Sequence, residues 1–469
     1  MENLDQLRQA IDGRLLLGSP LGPFGNVPLG PVATDSREVA GGDLFWAIRG
    51  PNYDGADFVA EAFAGGATGA VVNRPVDVPA GCWALVVEDT QDALDQWAAW
   101  TRRRFAGTVI AVSGTVGRST TRQMIHTLLQ HRREGTAPPG DETNRRGLPL
   151  NLLAIAPTHD YAVLELHGRR KGEIAAMAEL CVPRIGVITK IGDSHLAALG
   201  DRQGVVESMA ELLAALPSDG HAVLVDDPWL HGVADRCAAP ITWIGTSVHC
   251  DLVAQGIETS GGHVRFRAVS TANPQRHGDF RVPVWGRHHV TSILAAVAVG
   301  RLLGLDFDEM ADALAGFCPV GMRCEVLEVR GATIINDAYD TNPTSATAAF
   351  DLLRECDSPG RRIAVCGDMA DLGERAGALH WRMGREAVAI GRAEMVIACG
   401  RFARHVVAGA RSVGGGSLRA VPCRSVEDAL PHLGQAMLPG DVVLLKGSRM
   451  MRMERIVAAL GQYPRRRSA

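Results

Sequence analysis

The stretch that most constrains the fold of this chain is residues 108–130, TVIAVSGTVGRSTTRQMIHTLLQ. Its first six residues are mostly apolar and β-branched, which predicts a buried strand. Gly114 to Gly117 predict a tight turn, and a helix is expected from Arg118 because apolar residues then recur four positions apart. A strand, a glycine turn and a helix in this order are typical of a phosphate-binding loop. In such a loop, backbone N–H groups at the helix N-terminus point at an anion.

The same loop predicts the groups that would contact a nucleotide. Ser119 or Thr120 could supply a hydroxyl oxygen to the magnesium ion that accompanies the phosphates. Arg118 stands where Lys is usual, and it keeps the positive charge on a bulkier, forked side chain. The other predicted contacts are the turn residues Gly114, Thr115, Val116 and Gly117. A glycine turn without a ligand, as in any α/β protein, stays open as the alternative.

The composition is that of an ordinary globular protein, and it excludes several functional classes. The length of 469 residues predicts about three domains. The net charge of −4 gives no reason to expect nucleic acid or an anionic membrane as a partner. No apolar run reaches the roughly 20 residues of a membrane span. Ten cysteines occur without a C-x-x-C pair, and the N-terminus is acidic and amphipathic, so a cytoplasmic protein with reduced thiols is predicted.

The pattern of elements predicts an α/β protein of three domains. Residues 1–100 form a small N-terminal α/β domain. Residues 101–315 alternate buried strands with helices, which predicts a mostly parallel sheet of the phosphate-loop type, covered on both faces. Residues 316–469 predict a Rossmann-like open sheet. No G-x-G-x-x-G follows any of its strands, so a dinucleotide is not expected there.

Two residues of the central domain are candidate magnesium ligands. Glu165 comes late in one predicted strand, and His195 follows another, within the segment IGDSH. Ligands of parallel sheets bind at the carboxyl ends of the strands, which is where both residues are expected. A purely structural Glu or His remains the alternative for each of them.

A set of further motifs runs through the chain in a fixed order. The first domain contains TDSREVAGGDLFWAIRG and DGADF; the central domain contains GTVGRSTT, TNRRGLPLNLL, YAVLELHGRRKGEI, KIGDSHLAALG and GRHHV; the last domain contains MRCEVL, NDAYDTNPTS, VCGDMADLGE and LLKGSRMMRME. This order and spacing resembles the Mur ligase family over nearly the full length. The segments NDAYDTNP and GDMADLGE are similar to the type that adds D-alanyl-D-alanine to UDP-N-acetylmuramoyl-tripeptide. The DNPR motif of the related diaminopimelate- or lysine-adding type is absent from this sequence.

The resemblance implies an ATP-dependent amide ligase of peptidoglycan precursor synthesis, active as a monomer in the cytoplasm. ATP would phosphorylate the peptide carboxylate, and the dipeptide amine would then attack the acyl phosphate. The resemblance also implies ATP and Mg²⁺ as cofactors, and the UDP-linked muramoyl peptide and D-alanyl-D-alanine as partners. By position, it assigns Arg118 to the phosphates, Ser119 or Thr120 to the first magnesium, Glu165 and His195 to the metal sites, Arg323 to the γ-phosphate after domain closure, Asp337 to the ribose, His289 to the adenine pocket, and Ser36 and Arg37 to the uridine nucleotide.

Several departures from the family pattern fall on the nucleotide and metal site. Met209 stands where the family has a carbamylated Lys that supports a magnesium, and methionine offers no hard oxygen ligand. The other departures are Arg118 for Lys, Lys190 for Asn, His289 and Ser292 for two Asn, His167 for Gly, and Asp340 for Asn. They leave two alternatives to a D-alanyl-D-alanine ligase: a catalytically impaired homologue that binds the UDP-linked precursor or a partner protein, and an amide ligase with another substrate. The sequence does not identify the third residue of the peptide.

Overall fold

The structure is a computed structural model that describes residues 2–19, 27–50, 52–138, 147–357, 359–461 and 465–466. Within these residues, three sheets carry the architecture, and most of their strand pairs are parallel. The predicted fold class, a three-domain α/β protein with mostly parallel sheets, is confirmed. The first four residues of the TNRRGLPLNLL motif lie outside the described residues. No helix of the described chain is long and apolar enough to cross a membrane.

The chain divides into two compact units, and the first comprises residues 1–109, 134–166 and 176–182. Its five-stranded sheet has the spatial order Arg14–Leu17, Trp83–Val86, Gly69–Val72, Leu44–Trp46 and Val32–Ala33, with only the first pair antiparallel. A short parallel pair, Gly135–Thr136 and Tyr161–Glu165, also belongs to this unit. Its helices are Leu4–Ile11, Val59–Ala64, Thr90–Arg104, Gly147–Leu153 and most of Glu173–Cys181.

Both faces of the five-stranded sheet are buried, which explains its apolar strands. Successive side chains of a strand point to opposite faces. Trp46 accordingly packs with the helix residues Leu4 and Trp97, whereas its neighbour Phe45 packs with Val59 on the other face. Strands that are covered on both sides read as continuous apolar runs instead of alternating ones.

The second unit comprises residues 110–133, 167–175 and 183–469 and contains two large sheets. The strands of the first have the order Thr108–Ser113, Ile185–Ile188, His221–Val225, Ile241–Gly245, Leu252–Ser260, His263–Ser270 and His277–Val282. The first five of these strands are parallel, and the last two extend the sheet as an antiparallel meander. The accompanying helices are Arg118–Leu129, Leu196–Leu199, Arg202–Ala214, Pro228–His231, Val290–Leu302 and Phe307–Ala315.

The other sheet of this unit is the Rossmann-like sheet expected from the sequence. Its order is Arg419–Cys423, Met395–Cys399, Arg362–Cys366, Val442–Lys446, Ala332–Asp337, Glu325–Val329 and Arg465–Arg466. The first five strands are parallel, and the last two pair in antiparallel fashion. Its helices are Pro343–Glu355, Ala376–Ala389, Ala403–Arg411, Val426–Ala436 and Glu454–Leu460. The carboxyl ends of its central strands carry Asp337 and Lys446, which belong to the site described below.

Candidate active site

The phosphate turn joins the buried strand Thr108–Ser113 to the helix Arg118–Leu129. Gly114 and Gly117 have φ angles of +128° and +88°, a region that glycine enters without a steric penalty. A Cβ atom on Gly114 would lie 2.3 Å from the Thr189 hydroxyl oxygen, so no larger residue fits at this position. Thr115 donates to the Lys190 carbonyl from both its backbone N (2.8 Å) and its Oγ1 (2.9 Å). Steric fit and hydrogen bonds together define the shape of this turn.

A cavity of about 450 Å³ opens over this turn within the second unit. The sequence-predicted nucleotide ligands that line it are Thr115, Val116, Gly117, Arg118, Ser119, Thr120, His289, Arg323 and Asp337. Gly114 forms the start of the turn and does not line this cavity. The Ser119 and Thr120 hydroxyls belong to the first helical turn, where aligned N–H groups favour a negatively charged ligand.

Arg323 is partly buried and brings a positive charge to the wall of the cavity. Its guanidinium carbon lies 3.9 Å from the centroid of the Tyr339 ring, a cation–π contact that holds the side chain in place. Its Nε is buried and has no hydrogen-bond partner within the described part of the chain. A buried donor without an acceptor is unfavourable, so this side chain suits an anionic ligand such as a phosphate.

Asp337 and Lys446 form an ion pair at the carboxyl ends of neighbouring parallel strands. Lys446 is only 1% exposed, and its Nζ lies 3.0 Å from Asp337 Oδ2. Nζ also donates to the carbonyl oxygens of Asp337 (3.1 Å) and Asp340 (2.5 Å). Lys446 lies in the motif LLKGSRMMRME, but no role in the site was predicted for it from the sequence. A signal in the sequence could have identified this residue: Lys446 is the only charged residue of the strand Val442–Lys446 and stands at its end.

His288, His289 and Cys324 form a second group at this cavity that the sequence analysis identified only in part. Burial lowers the pKa of His288 to about 4 and lowers the pKa of His289 well below its ordinary value, so both rings are neutral at neutral pH. His288 Nε2 lies 3.5 Å from the Cys324 sulfur, whose pKa burial raises. The donor atoms of the three residues lie within 4.8 Å of one another. Nitrogen and sulfur donors suit a soft transition metal and do not suit Mg²⁺.

Arg118 borders a second, narrower space on the other side of the turn. It donates to the Gly114 carbonyl, and its Nη2 lies 2.6 Å from His167 Nδ1. His167 Nε2 lies 2.8 Å from His195 Nε2, and His195 Nδ1 lies 3.2 Å from Asp371 Oδ2. Burial, and then the charge of Arg118, lower the pKa of both rings.

Met209 completes this second space, which we call the histidine recess. Its other lining residues include Gly114, Arg118, His167 and His195. Met209 is 3% exposed, and its sulfur lies 3.1 Å from the Ser113 hydroxyl oxygen. The recess has essentially no volume that a water molecule could occupy. Met209 therefore brings sulfur and methylene groups to the recess and offers no oxygen ligand.

The remaining predicted site residues belong to the first unit. Glu165 is the last residue of the strand Tyr161–Glu165, and it is buried. Its assignment to a metal site stays a prediction. Ser36 and Arg37 lie in a short 3₁₀ turn that begins after Asp35. Hydrogen bonds from the Arg37 side chain lower the pKa of Asp35 to about 2.

Ser36 and Arg37 line an open groove of about 750 Å³ in the first unit. Ser36 Oγ donates to Glu61 Oε2 at 3.0 Å, and the aromatic rings of Tyr53 and Phe58 border the same groove. The groove therefore combines charged, hydroxyl and aromatic side chains, which suits a polar ligand that contains a flat ring.

Models of the Mur ligase family match three successive parts of the chain. The Mur ligase family catalytic domain matches residues 31–99, the Mur ligase middle domain matches residues 112–300, and the Mur ligase glutamate ligase domain matches residues 322–449. The UDP-N-acetylmuramoyl-tripeptide–D-alanyl-D-alanine ligase of Bacillus subtilis is 33% identical over 92% of this chain and 93% of its own length. The enzyme of the same name from Escherichia coli is 30% identical over 97% and 98%.

Solved structures agree with these matches. MurF from Acinetobacter baumannii aligns with a TM-score of 0.86 and 28% identity, covering 98% of this chain and 99% of that one. A MurF ligase from Thermotoga maritima in complex with ADP aligns with a TM-score of 0.77 and 26% identity, covering 92% and 96%. The similarity in sequence and in fold thus extends over nearly the whole chain, and the chain belongs to the Mur ligase family, in its MurF type.

Proposed function

We propose that this chain joins D-alanyl-D-alanine to UDP-N-acetylmuramoyl-tripeptide with the consumption of ATP. The reaction is a step of peptidoglycan precursor synthesis, and through it the chain serves cell wall biogenesis, cell shape and cell division. That the chain is an ATP-dependent ligase follows from its family. The proposed reaction is argued mainly from the cavity of about 450 Å³. The phosphate turn, Arg323 and the Asp337–Lys446 pair all line this cavity.

The proposed reaction has two steps: a phosphoryl transfer and an acyl transfer. A carboxylate oxygen of the peptide attacks the γ-phosphorus of ATP, and ADP leaves. The amine of D-alanyl-D-alanine then attacks the carbonyl carbon of the acyl phosphate, loses a proton, and releases inorganic phosphate. The first step needs little acid–base chemistry from the protein, so positioning and charge neutralisation are its main requirements.

The residues around the cavity are suited to those two requirements. Backbone N–H groups of the turn and the charges of Arg118 and Arg323 stabilise the negative charge that spreads over the transferred phosphoryl group. Asp337, oriented by Lys446, accepts hydrogen bonds from the ribose hydroxyls. His289, neutral because it is buried, lies beside the base.

One Mg²⁺ fits the residues of this site. Ser119 and Thr120 provide buried hydroxyl oxygens that line the cavity at a helix N-terminus, and oxygen is the donor that Mg²⁺ prefers. An ion held by these two hydroxyl groups would neutralise charge on the phosphate oxygens. The arrangement around His195 does not fit a second Mg²⁺, because both ring nitrogens contact protein groups and the recess admits no water. Glu165 remains a proposed metal ligand.

The proposal assigns the other end of the substrate to the groove of the first unit. Ser36 and Arg37 contact the uridine nucleotide there, and the exposed ring of Tyr53 offers a stacking surface. We also propose domains over residues 1–100, 101–315 and 316–469, which the limits of the three matched family models support. The ten cysteines are free thiols, which supports a cytoplasmic location, and we propose that the chain acts as a monomer.

The test is a phosphate-release assay with UDP-N-acetylmuramoyl-tripeptide, ATP, Mg²⁺ and D-alanyl-D-alanine. We expect phosphate release that requires both peptides, and a product that contains the new amide bond by mass spectrometry. Omission of each component in turn is the control. Absence of release together with measurable binding of the UDP-linked peptide would instead identify a catalytically impaired homologue. Release with a different amine would identify another amide ligase.

A further inference from the structure

We propose that Arg118, His167, His195 and Asp371 form a directed hydrogen-bond relay that holds the Arg118 guanidinium as a resident cation at the phosphate turn. We call these four residues the Arg118 relay. The relay uses both nitrogens of His195 and so takes the place of a metal ion there. The proposal concerns the same site as the proposed function and rests on it only for the activity measurement below.

Three contacts connect the relay from end to end. The Arg118 guanidinium lies 2.6 Å from His167 Nδ1, and His167 Nε2 lies 2.8 Å from His195 Nε2. His195 Nδ1 lies 3.2 Å from Asp371 Oδ2. All three separations are short enough for a hydrogen bond, and the contact between Arg118 and His167 is shorter than the usual range. The two rings also meet edge to face, with centroids 4.7 Å apart.

The chemistry of the two ends determines the proton positions between them. A guanidinium can only donate, so His167 Nδ1 must accept and the proton of the neutral ring lies on Nε2. That proton is donated to His195 Nε2, so the proton of the second ring lies on Nδ1. Nδ1–H then donates to the Asp371 carboxylate, which only accepts when it is ionised. One arrangement of two neutral rings therefore satisfies all three contacts, and donation runs from Arg118 to Asp371.

This arrangement leaves His195 no lone pair for a metal ion. Its Nε2 lone pair accepts from His167, and its Nδ1 carries a proton. The recess around the rings has no space for a water molecule, and Met209 contributes sulfur to its wall. A guanidinium is a fixed charge that cannot be deprotonated in proteins, so Arg118 supplies positive charge without a dissociable ion.

The backbone conformation at the Asp371 end of the relay supports a functional role for these residues. His195 and Asp371 both have left-handed backbone conformations, with φ angles of +52° and +57°. Such conformations in non-glycine residues persist only when surrounding contacts hold them, and they cluster at functional sites. The Asp371 carbonyl accepts from Ala197 N at 3.0 Å, two residues after His195. The relay therefore connects the phosphate turn to the loop after the strand Arg362–Cys366 of the Rossmann-like sheet.

In this proposal Arg118 touches the phosphates, and the other three are positioning residues that act through it. They hold the forked side chain between the cavity and the histidine recess, both of which Arg118 lines. A preorganised cation at the place where negative charge develops favours the transition state more than bound ATP. Loss of the relay should therefore lower kcat more than it changes the KM for ATP.

The first test reads the proton positions directly and needs no turnover. Protein with ¹⁵N-labelled histidine is measured by long-range ¹H–¹⁵N correlation NMR at pH 7.5, free and with ADP and Mg²⁺. The His167→Asn and His195→Gln variants assign the two rings. We expect the Nε2–H form of His167 and the Nδ1–H form of His195. The opposite tautomer or a cationic ring at either position overturns the relay, whether or not the chain proves to be a ligase.

The second test separates the acceptor role of Asp371 from a general structural role. Asp371→Ala should lower kcat for peptide-dependent phosphate release about tenfold, with less than about a twofold change in the KM for ATP. Asp371→Asn keeps an acceptor oxygen and should stay within about threefold of wild type. Glu374→Ala, an exposed carboxylate in the same segment, is the matched control and should be unchanged. Unchanged kcat in Asp371→Ala, or equal losses in both Asp371 variants, overturns the proposal.

Discussion

The two sides of the phosphate turn satisfy their polar groups in opposite ways. On the cavity side, Arg323 keeps a buried Nε without an acceptor in the described chain, beside a space of about 450 Å³. On the recess side, the ring nitrogens of His167 and His195 have partners within the protein, and no water fits. Buried polar groups need a partner from some source. The cavity side therefore offers a donor to a ligand, whereas the two histidine rings of the recess are already paired within the protein.

The largest expected effect tests the cavity side through Arg323. Arg323→Ala should lower kcat/KM for phosphate release by about 100- to 1000-fold, because it removes a preorganised donor to the transferred phosphoryl group. The thermal unfolding midpoint should change little, since no acceptor in the described residues loses a hydrogen bond. The control is Arg385→Ala, which changes an exposed arginine on the helix Ala376–Ala389 beside the Rossmann-like sheet. Near-normal activity in Arg323→Ala would mean that the cavity does not hold the γ-phosphate.

The next effect concerns the buried ion pair that borders the cavity. Lys446→Met should lower the free energy of unfolding in urea by about 3 kcal/mol, because it leaves Asp337 with an uncompensated charge. The double variant with Asp337→Asn should recover at least half of that loss. Lys171→Met removes an exposed pair with Glu207 and should cost less than about 1 kcal/mol. Equal losses in the single and double variants would show that lysine packing, and not charge pairing, matters.

A second metal site can be introduced in the histidine recess by changing two residues together. The double variant Arg118→Lys with Met209→Lys removes the forked cation and introduces an amine that bicarbonate can carbamylate. We expect a second bound Mn²⁺ by electron paramagnetic resonance in the presence of ADP. Turnover should rise by about two- to tenfold and respond to bicarbonate, since a metal ion would then neutralise charge.

Two single variants sharpen the recess experiment. Met209→Lys alone should bind one Mn²⁺ and change turnover little, because Arg118 still occupies the turn. Arg118→Lys alone lacks an anionic oxygen ligand in the recess and should also bind one. A wild-type protein that already binds two Mn²⁺ and turns over at full rate with two-metal dependence would contradict the resident-cation proposal.

The smallest expected effect is a pH dependence of stability from the cavity histidines. Burial lowers the pKa of His288 to about 4 and lowers the pKa of His289 well below its ordinary value. The unfolded chain therefore binds more protons below about pH 6.5, and the free energy of unfolding should fall as the pH drops from 6.5 towards 4. His289→Asn should flatten this slope in urea titrations between pH 8 and 4.5. An unaltered slope would show that other groups dominate it.

Local sequence patterns were sufficient to predict the strand, turn and helix that position the site. The strand, turn and helix of residues 108–130 follow from apolar periodicity and from two glycines that adopt left-handed conformations. These are short-range properties, because a glycine conformation or an i,i+4 stripe depends on a few neighbouring residues. The family resemblance then predicted Arg323 and Asp337 as ligands, and the structure places both at the cavity with the turn. Their roles remain predictions.

Only the tertiary structure decided which side chains meet across long stretches of chain. Lys446 pairs with Asp337 from 109 positions away, and His195 meets Asp371 from 176 positions away. No local pattern encodes such contacts, since they depend on how strands order within a sheet and how one sheet's loops approach another. The sequence showed His167 and Met209 as isolated departures from a family pattern. In the folded chain, His167 contacts the Arg118 guanidinium, and Met209 brings its sulfur to a recess that is too small for a water molecule.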